Sequence, residues 1–409
     1  MIEARVDRDR LWDAHMEMAR IGATPGGGVG RLALSDLDGA ARDLFVGWCE
    51  AAGCGVRVDR IGNIFARRSG TDDGLAPVMT GSHLDTQPLG GRFDGIFGVL
   101  AGLEAVRALN DAGVTLRRPL EVVVWTDEEG ARFRSGVMGS SVFCNPDKLE
   151  RALAMTDEAG CSVAGELARI GYAGPEPVGG FPVHAYFEAH IEQGPILEKE
   201  GVTIGVVQGA QASRRFRVTV EGEEGHAGTL PMTLRRDALL NAARMIDAIN
   251  KVAFRHEPHP VITVGALHNR PNSPNTVPGQ TVFTIDSRHP DAGTLAAIDD
   301  EMRAACAEIA EAGGVGLGIE RTSDNAPAAF DPRCVASVRA AAEALGISQR
   351  DIYSGAGHDA CNLSHVAPTG MIFVPCEKGI SHNEKENARP EDLAAGADVL
   401  TQVLAEWAA

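Results

Sequence analysis

The first half of the chain alternates short apolar runs with segments of helical periodicity. Apolar residues between 36 and 53 recur at helical spacing and predict a helix, which Ser35 can cap at its N-terminus. A second helix is expected from about 96 to 110. Short apolar runs predict strands at 56–67, 77–81, 119–126 and 183–191. Strands that alternate with helices in this way indicate an α/β domain.

The pattern changes between residues 210 and 325. It predicts strands and helices in the order β-α-β-β-α-β, at 214–221, 233–251, 261–268, 280–287, 293–312 and 315–321. That order favours a four-stranded sheet with two helices on one face, inserted as a unit. A helix at 332–345, a strand at 370–375 and a helix at 391–407 then complete the first domain. The prediction is an α/β domain of residues 1–209 and 326–409, interrupted by an α+β domain of residues 210–325.

Composition narrows the possible partners and the compartment. The 409 residues carry 38 Lys and Arg against 56 Asp and Glu, a net charge of −18, which argues against nucleic acid and anionic membranes as partners. No apolar run approaches the roughly 20 residues of a membrane helix, and the first residues are too charged for a secretory signal. The eight cysteines form no CxxC pair and are expected to be free thiols. A cytoplasmic protein is the expectation.

Polar clusters follow several predicted strands, where sites of open α/β sheets are found. They are Gly81–Thr86, Phe93–Gly95, Asp127–Gly130, His190 and Ser381–Glu384. Histidine and carboxylate are ligands of Zn²⁺, Mn²⁺ and similar ions. His83 and Asp85 face the same way on an extended segment, so one could bind a metal ion while the other orients it. Of the adjacent Glu128 and Glu129, one could bind metal and the other carry a proton.

Each cluster also has an ordinary interpretation. A histidine at a strand end is more often structural or solvated, and an Asp-Glu-Glu run or an Asp-Gly pair is usually a turn. Arg288 ends an apolar strand and could clamp a substrate carboxylate or form an ion pair with Asp286 or Asp291. The Gly-rich run at 355–359 could offer backbone N–H groups, but it lacks the Lys and Ser/Thr of a phosphate-binding loop. Spacing alone leaves these alternatives open.

A series of longer motifs resembles one known family. They are TGSHLDTQPLGGRFDG (80–95), WTDEEGARF (125–133), HIEQGPILE (190–198), GHAGTLPM (225–232), PNSPNTVPG (271–279), SRHPD (287–291), SGAGHDA (354–360) and SHNEKE (381–386). Together they resemble the amidase/carbamoylase branch of the dinuclear M20 metallopeptidase-like family, in order and over nearly the whole chain. The branch contains N-carbamoyl-L-amino-acid hydrolases, β-ureidopropionases and allantoate amidohydrolases. The resemblance implies a zinc-peptidase-like catalytic domain and an inserted lid and dimerisation domain.

The resemblance implies two divalent metal ions per chain. His83 and His190 would hold one ion, Glu129 and His382 the other, and Asp94 would bridge them. The ions could be Zn²⁺, Mn²⁺, Co²⁺ or Ni²⁺.

By the same resemblance, two further side chains serve the metal centre. Asp85 would orient His83, and Glu128 would be the general base.

The resemblance also implies substrate contacts and a homodimer. His226 would stabilise the oxyanion and reach the site of the other subunit. Gln193 and Asn275 would bind substrate, Arg288 would clamp its carboxylate, and Gly357 would offer a backbone N–H group.

The activity implied is hydrolysis of the ureido C–N bond of N-carbamoyl-L-amino acids or β-ureido acids to the free amino acid, CO₂ and ammonia. Allantoate amidohydrolase is the nearest alternative, since the motifs do not separate the two substrates. An aminoacylase- or peptidase-like amide hydrolase is a further alternative, which the presence of His190 and Gln193 disfavours. A scaffold without catalysis would be expected to have lost part of the ligand set, and all five ligands and Glu128 are present.

Overall fold

The computed structural model describes residues 2–257 and 260–409. The helices are α1 (Arg8–Met18), α2 (Asp36–Ala51), α3 (Ile96–Asp111), α4 (Met138–Cys144), α5 (Leu149–Leu153), α6 (Val163–Arg169), α7 (Ile196–Glu200), α8 (Ala238–Ala253), α9 (Ala292–Gly313), α10 (Pro332–Ala344), α11 (Asp359–Leu363) and α12 (Pro390–Ala408).

The strands are β1 (Gly55–Val58), β2 (Ile64–Arg68), β3 (Val78–His83), β4 (Leu120–Trp125), β5 (Ala185–Ile191), β6 (Ile204–Ala210), β7 (Ala212–Glu221), β8 (Gly225–His226), β9 (Val261–Thr263), β10 (Leu267–Arg270), β11 (Thr276–Val277), β12 (Gln280–His289), β13 (Gly316–Asn325), β14 (Ala328–Ala329), β15 (Gln349–Ser354) and β16 (Thr369–Val374).

The chain divides into two compact units. One consists of Met1–Gly209 and Ala329–Ala409, and the other is Ala210–Ala328. The predicted insert of 210–325 therefore ends three residues before the second unit does. We call the first the discontinuous unit and the second the inserted unit.

The discontinuous unit is built on a mixed sheet, as the α/β pattern predicted. Its strands lie in the order β1-β2-β4-β3-β5-β16-β6, and β15 also pairs with β6. The four central strands, β4, β3, β5 and β16, run parallel, whereas β2 and β6 pair antiparallel to them. All residues of β3, β4, β5 and β16 are buried, which explains their nearly continuous apolar sequences.

Helix α3 packs closely on this sheet and is buried along almost its whole length. Its glycines permit the approach, since a Cβ atom at Gly98 would lie 2.4 Å from the carbonyl oxygen of Ala189 in β5. Helix α2 begins as its sequence predicts, because the Ser35 hydroxyl accepts a hydrogen bond from the backbone N–H of Asp38 at 3.2 Å. Both helices thus follow from local sequence and from burial of their apolar faces.

The inserted unit has the predicted two long helices and one sheet. Its strands lie in the order β10-β12-β7-β13, and β9 also pairs with β12. The prediction of four strands counted 261–268 as a single strand, whereas the structure has the two short strands β9 and β10 beside β12. The break contains Gly265, and glycine weakens a strand interior. The apolar sides of α8 and α9 share a core with Phe216, Val218 and Phe283 of the sheet.

One helix of the inserted unit begins later than predicted. The helix predicted at 233–251 begins at Ala238, where the Asp237 carboxylate accepts a hydrogen bond from the N–H of Leu240 at 2.9 Å. The sequence analysis also missed β6, β15, α1 and several short helices.

The prediction that the cysteines are free thiols is confirmed. All eight cysteines are free, and five of them are buried. Among the described residues, the helices contain no segment with both the length and the apolar character needed to span a bilayer.

Candidate metal centre

Strands β3, β4, β5 and β16 end at one edge of the sheet, and the predicted metal-centre residues lie in or after these ends. They are His83, Asp94, Glu128, Glu129, His190 and His382. His83 is the last residue of β3, and His190 is the next-to-last residue of β5. Since these strands run parallel, side chains far apart in sequence meet at this edge.

Asp94 stands between two groups of possible metal ligands. With His83 and His190 it forms a buried group, and with Glu129 and His382 it forms a second group that is partly exposed at His382. Within each group the ligand atoms lie within 4.8 Å of one another. Its Oδ1 is 3.1 Å from Nε2 of His190 and 3.9 Å from Nε2 of His83. Its Oδ2 is 3.2 Å from Nε2 of His382, which lies 3.3 Å from Oε2 of Glu129. Asp94 thus offers one oxygen to each group, as a bridging carboxylate does.

Two of the imidazoles are oriented by backbone carbonyl groups. Nδ1 of His83 lies 2.8 Å from the carbonyl oxygen of Asp85, and Nδ1 of His190 lies 2.9 Å from that of Ile191. A carbonyl oxygen only accepts, so each Nδ1 carries a hydrogen atom, and in the neutral ring each Nε2 keeps its lone pair. The backbone N–H of Gly95 donates to Nε2 of His190 at 3.1 Å, which agrees with this tautomer. Both Nε2 atoms face Asp94.

Gly95 lies against one of these rings. Its φ of 71° is in the left-handed region, and a Cβ atom there would lie 2.3 Å from the imidazole of His83. Glycine is therefore required both by the backbone conformation and by the space that the ring fills.

Glu128 lies beside the first group. Its Oε2 is 3.5 Å from Nε2 of His83, and the side chain is largely buried. Burial, together with the negative charges of Asp359 and Glu129, raises the pKa of Glu128 well above its usual value. A carboxylate with a raised pKa is a stronger base than an exposed one, as a general base must be.

The electrostatics of the two groups favour a cation. Burial alone would raise the pKa of Asp94, but hydrogen bonds from the protonated rings of His190 and His382 hold it well below its usual value. Against the cost of burial, the hydrogen bond with Asp94 raises the pKa of His190 to about 9, and the same carboxylate raises the pKa of His382 to about 9. Burial and the charge of Asp94 raise the pKa of Glu129 to about 7.

The two groups thus attract positive charge and present imidazole nitrogen and carboxylate oxygen, a donor set that fits Zn²⁺ and similar ions. These residues fit the pair of divalent ions that the motifs imply.

The backbone carbonyl group of Asp85 orients the imidazole of His83. The carboxylate of Asp85 does not take part in this contact. Its Oδ1 is 4.0 Å from Nδ1 of His83, too far for a hydrogen bond. The carboxylate instead accepts hydrogen bonds from the backbone N–H groups of Glu128 at 3.3 Å and Glu129 at 3.2 Å. Asp85 therefore links the segment after β3 to the segment after β4.

Gln193 contacts the bridging carboxylate. Its Nε2 donates to Oδ2 of Asp94 at 2.9 Å and lies 3.2 Å from Oγ of Ser381. Its Oε1 is buried and has no hydrogen-bond partner among the described residues. The backbone of Gln193 is in the left-handed region, with φ of 54°, which is uncommon for a residue other than glycine. One end of the amide is therefore fixed, and the other can accept a hydrogen bond.

Gly357 lies in the exposed loop between β15 and α11, where a Cβ atom would meet no other group. The next residue, His358, is buried, with its ring 4.5 Å from that of His190 and its Nε2 2.9 Å from Oγ of Ser354. His358 thus packs against a predicted ligand.

The remaining predicted residues belong to the inserted unit. His226 in β8 pairs with Thr276 in β11, and the N–H of Ala227 donates to the carbonyl oxygen of Asn275 at 2.9 Å, so this small ribbon brings His226 and Asn275 together. Both side chains are exposed.

Arg288, on β12, donates to the two oxygens of Asp286 at 2.8 and 3.1 Å. Arg288 therefore forms the ion pair with Asp286 that the sequence analysis named as one alternative.

Three residues that contact the site were given no role from the sequence, although Ser381 stands in one of the polar clusters. Gln87 donates to the Glu129 carboxylate, Ser381 donates to Oδ2 of Asp94 at 2.8 Å, and Glu386 accepts from the backbone at Asp94. All three lie inside the quoted motifs and within four residues of a predicted ligand, and this nearness is the signal that could have found them.

Comparison with known proteins identifies the family. Residues 79–406 match peptidase family M20/M25/M40. The chain is 49% identical over 404 residues to an N-carbamoyl-L-amino-acid amidohydrolase of Rhizobium meliloti, covering 99% of this chain and 97% of that protein. It is 36% identical over 400 residues to the allantoate amidohydrolase of Escherichia coli, covering 96% of both.

A crystal structure of a hydantoinase/carbamoylase family amidase from Burkholderia multivorans superposes with a TM-score of 0.96 at 54% identity, covering 99% of this chain and 98% of that one. These matches confirm the predicted resemblance and the predicted class, a hydrolase of C–N amide bonds. The chain therefore belongs to peptidase family M20/M25/M40.

Proposed function

We propose that the protein hydrolyses the carbamoyl C–N bond of N-carbamoyl-L-amino acids or β-ureido acids, releasing the free amino acid, CO₂ and ammonia. The observation that carries the proposal is the bridging position of Asp94 between two groups of ligands, with Glu128 3.5 Å from His83. The similarity to an N-carbamoyl-L-amino-acid amidohydrolase over 99% of the chain supports the substrate class.

Two divalent ions would be held by the two groups, and enzymes of this family use divalent metals. His83 and His190 would hold one ion, Glu129 and His382 the other, with one oxygen of Asp94 on each. When bound, such ions supply Lewis acidity and lower the pKa of water. Zn²⁺, Mn²⁺, Co²⁺ and Ni²⁺ all suit these ligands.

Glu128 would move the proton. Its carboxylate accepts a proton from the attacking water and later delivers it to the leaving nitrogen, which must be protonated to depart as an amine. The side chain is 11% exposed, which limits the access of bulk water that would compete for that proton.

Gln193 would receive the ureido group. Its buried Oε1 has no partner among the described residues, and the N–H groups of a ureido substrate are donors that could satisfy it. The other end of the amide is held by Asp94, so the acceptor would be preoriented.

The roles of His226, Asn275, Arg288 and Gly357 follow from the motif resemblance and remain predictions. We expect Arg288→Lys to raise KM for a carboxylate substrate, since Lys lacks the guanidinium fork. Arg215→Lys is the matched control, because Arg215 also donates to Asp286, at 3.0 Å. The predicted homodimer is tested by light scattering, which would give twice the chain mass of 43.1 kDa.

Allantoate is the second candidate substrate, supported by the 36% identity to an allantoate amidohydrolase. A panel of N-carbamoyl-L-methionine, 3-ureidopropionate, allantoate and N-acetyl-L-methionine, assayed at matched metal content, separates the candidates. We expect the highest kcat/KM with a carbamoyl amino acid or β-ureido acid. Preference for allantoate would establish the second candidate, and preference for the N-acetyl compound would indicate an aminoacylase.

A further inference from the structure

Glu386 connects the bridging carboxylate to the loop that carries His382. It is 1% exposed. Its Oε1 accepts hydrogen bonds from the backbone N–H groups of Phe93 at 2.8 Å and Asp94 at 3.1 Å. Its Oε2 lies 3.1 Å from Oγ of Ser381, the residue before His382, and shares the single hydroxyl hydrogen of Ser381 with Oδ2 of Asp94, which lies at 2.8 Å. One carboxylate thus fixes two segments that are almost 300 residues apart in the chain.

The space for this carboxylate depends on a glycine. A Cβ atom at Gly91 would lie 2.0 Å from the carboxyl group of Glu386. The backbone of Gly91 is outside the left-handed region, so the conformation itself accepts other residues. The absence of a side chain at Gly91 therefore serves to admit Glu386.

The two groups of ligands differ in how they are held. His83 and His190 are buried and are fixed by backbone carbonyls of their own neighbours. His382 is half exposed, and its φ of 53° lies in the left-handed region, which a residue other than glycine keeps only when its surroundings hold it. The hydrogen bonds of Glu386 to Ser381 and to the backbone at Asp94 join the His382 loop to the segment before α3.

We propose that Glu386 is a positioning residue for the cation site formed by Asp94, Glu129 and His382. This inference rests on the metal centre of the proposed function. Glu386 does not contact the reacting atoms; it sets where Asp94 and the His382 loop stand. Its removal should weaken one cation site more than the other, because His83 and His190 keep their own carbonyl partners.

The test is metal binding to Glu386→Gln. Glutamine keeps an oxygen for the backbone N–H groups of Phe93 and Asp94, but it removes the negative charge and turns an NH2 group toward Ser381, at almost unchanged volume. Chelator-treated protein is titrated with Co²⁺, and binding is followed by calorimetry and by the Co²⁺ absorption spectrum. We expect two equivalents for the unaltered protein. In the variant, Kd should rise about tenfold or more at the site of Asp94, Glu129 and His382, and by clearly less at the other site, which shares only Asp94 with it.

Glu384→Gln is the matched control. Glu384 lies in the same loop and has the same charge, but its carboxylate accepts from the N–H of Gly26 at 3.2 Å. It should bind two equivalents with unchanged affinity. Gly91→Ala keeps the charge of Glu386 but fills the space that its carboxylate occupies. It should weaken the same site as Glu386→Gln. It also provides the test if Glu386→Gln fails to fold.

Unchanged binding of both ions by Glu386→Gln and by Gly91→Ala would overturn the proposal, as would equal weakening of both sites. The proposed function can fail separately. If the unaltered protein binds two ions but hydrolyses none of the substrate panel, the substrate class is wrong, whereas selective weakening still supports the role of Glu386.

Discussion

Gln87 donates two hydrogen bonds to the carboxylate of Glu129. The backbone N–H of Gln87 lies 3.1 Å from Oε1, and the side-chain Nε2 lies 2.7 Å from Oε2. Oε2 is also the oxygen that faces His382, at 3.3 Å. Gln87 therefore fixes the rotamer of a predicted metal ligand from the loop that follows His83.

Gln87→Ala should loosen Glu129 and lower the affinity of its cation site. The variant keeps the backbone hydrogen bond and loses the one from the amide, so we expect Kd for Co²⁺ at that site to rise about tenfold. Gln349→Ala is the control, because Gln349 donates to the exposed Glu343 at 3.3 Å and should leave binding unchanged. Equal affinities for Gln87→Ala and the unaltered protein would show that Glu129 does not need this support.

Gly95→Ala should disturb the other cation site. The added Cβ would collide with the imidazole of His83, and we expect Kd at that site to rise about tenfold or more. Gly113→Ala is the control: Gly113 also has positive φ, of 63°, but open space around it. It should cost about 1 kcal/mol of folding stability and leave Co²⁺ binding intact. Normal binding by Gly95→Ala would mean that the ring can move without loss.

Arg42→Ala should destabilise the discontinuous unit strongly. Arg42 and Asp38 form a buried ion pair at 2.9 Å, and Arg42 also donates to the carbonyl oxygen of Gly62 at 2.6 Å. Removing the cation leaves a buried carboxylate uncompensated, which costs about 3–5 kcal/mol in urea unfolding. Arg8→Ala, which breaks the exposed pair with Asp9, should cost less than about 1 kcal/mol. A similar cost for both variants would contradict this account.

Much of the fold follows from the sequence because burial leaves a clear pattern. The parallel strands are apolar throughout, and Ser35 and Asp94 stand before helices in the expected places. The edge strand at 261–268 was predicted as continuous, because its break at Gly265 changes the local pattern too little to be detected.

Most of the candidate site was predictable as a set of residues. His83, Asp94, Glu129, His190 and His382 come together as the motifs imply. Their supports were harder to foresee, since they depend on partners distant in sequence. The partner of Glu386 is the backbone at Asp94, and neither residue's neighbourhood indicates the contact. For Asp85, the choice between carbonyl and carboxylate as the partner of His83 depends on about 1 Å of geometry, which spacing does not resolve.

The central claim is that Glu128 carries the proton in a metal-dependent hydrolysis of a ureido acid. The most direct measurement compares ammonia release from N-carbamoyl-L-methionine by the unaltered protein and by Glu128→Gln, with the metal content of both determined on the same samples. We predict equal metal content, loss of activity with chelator, and a kcat about 100-fold or more lower for the variant. A variant with full metal content and near-normal kcat would contradict the account.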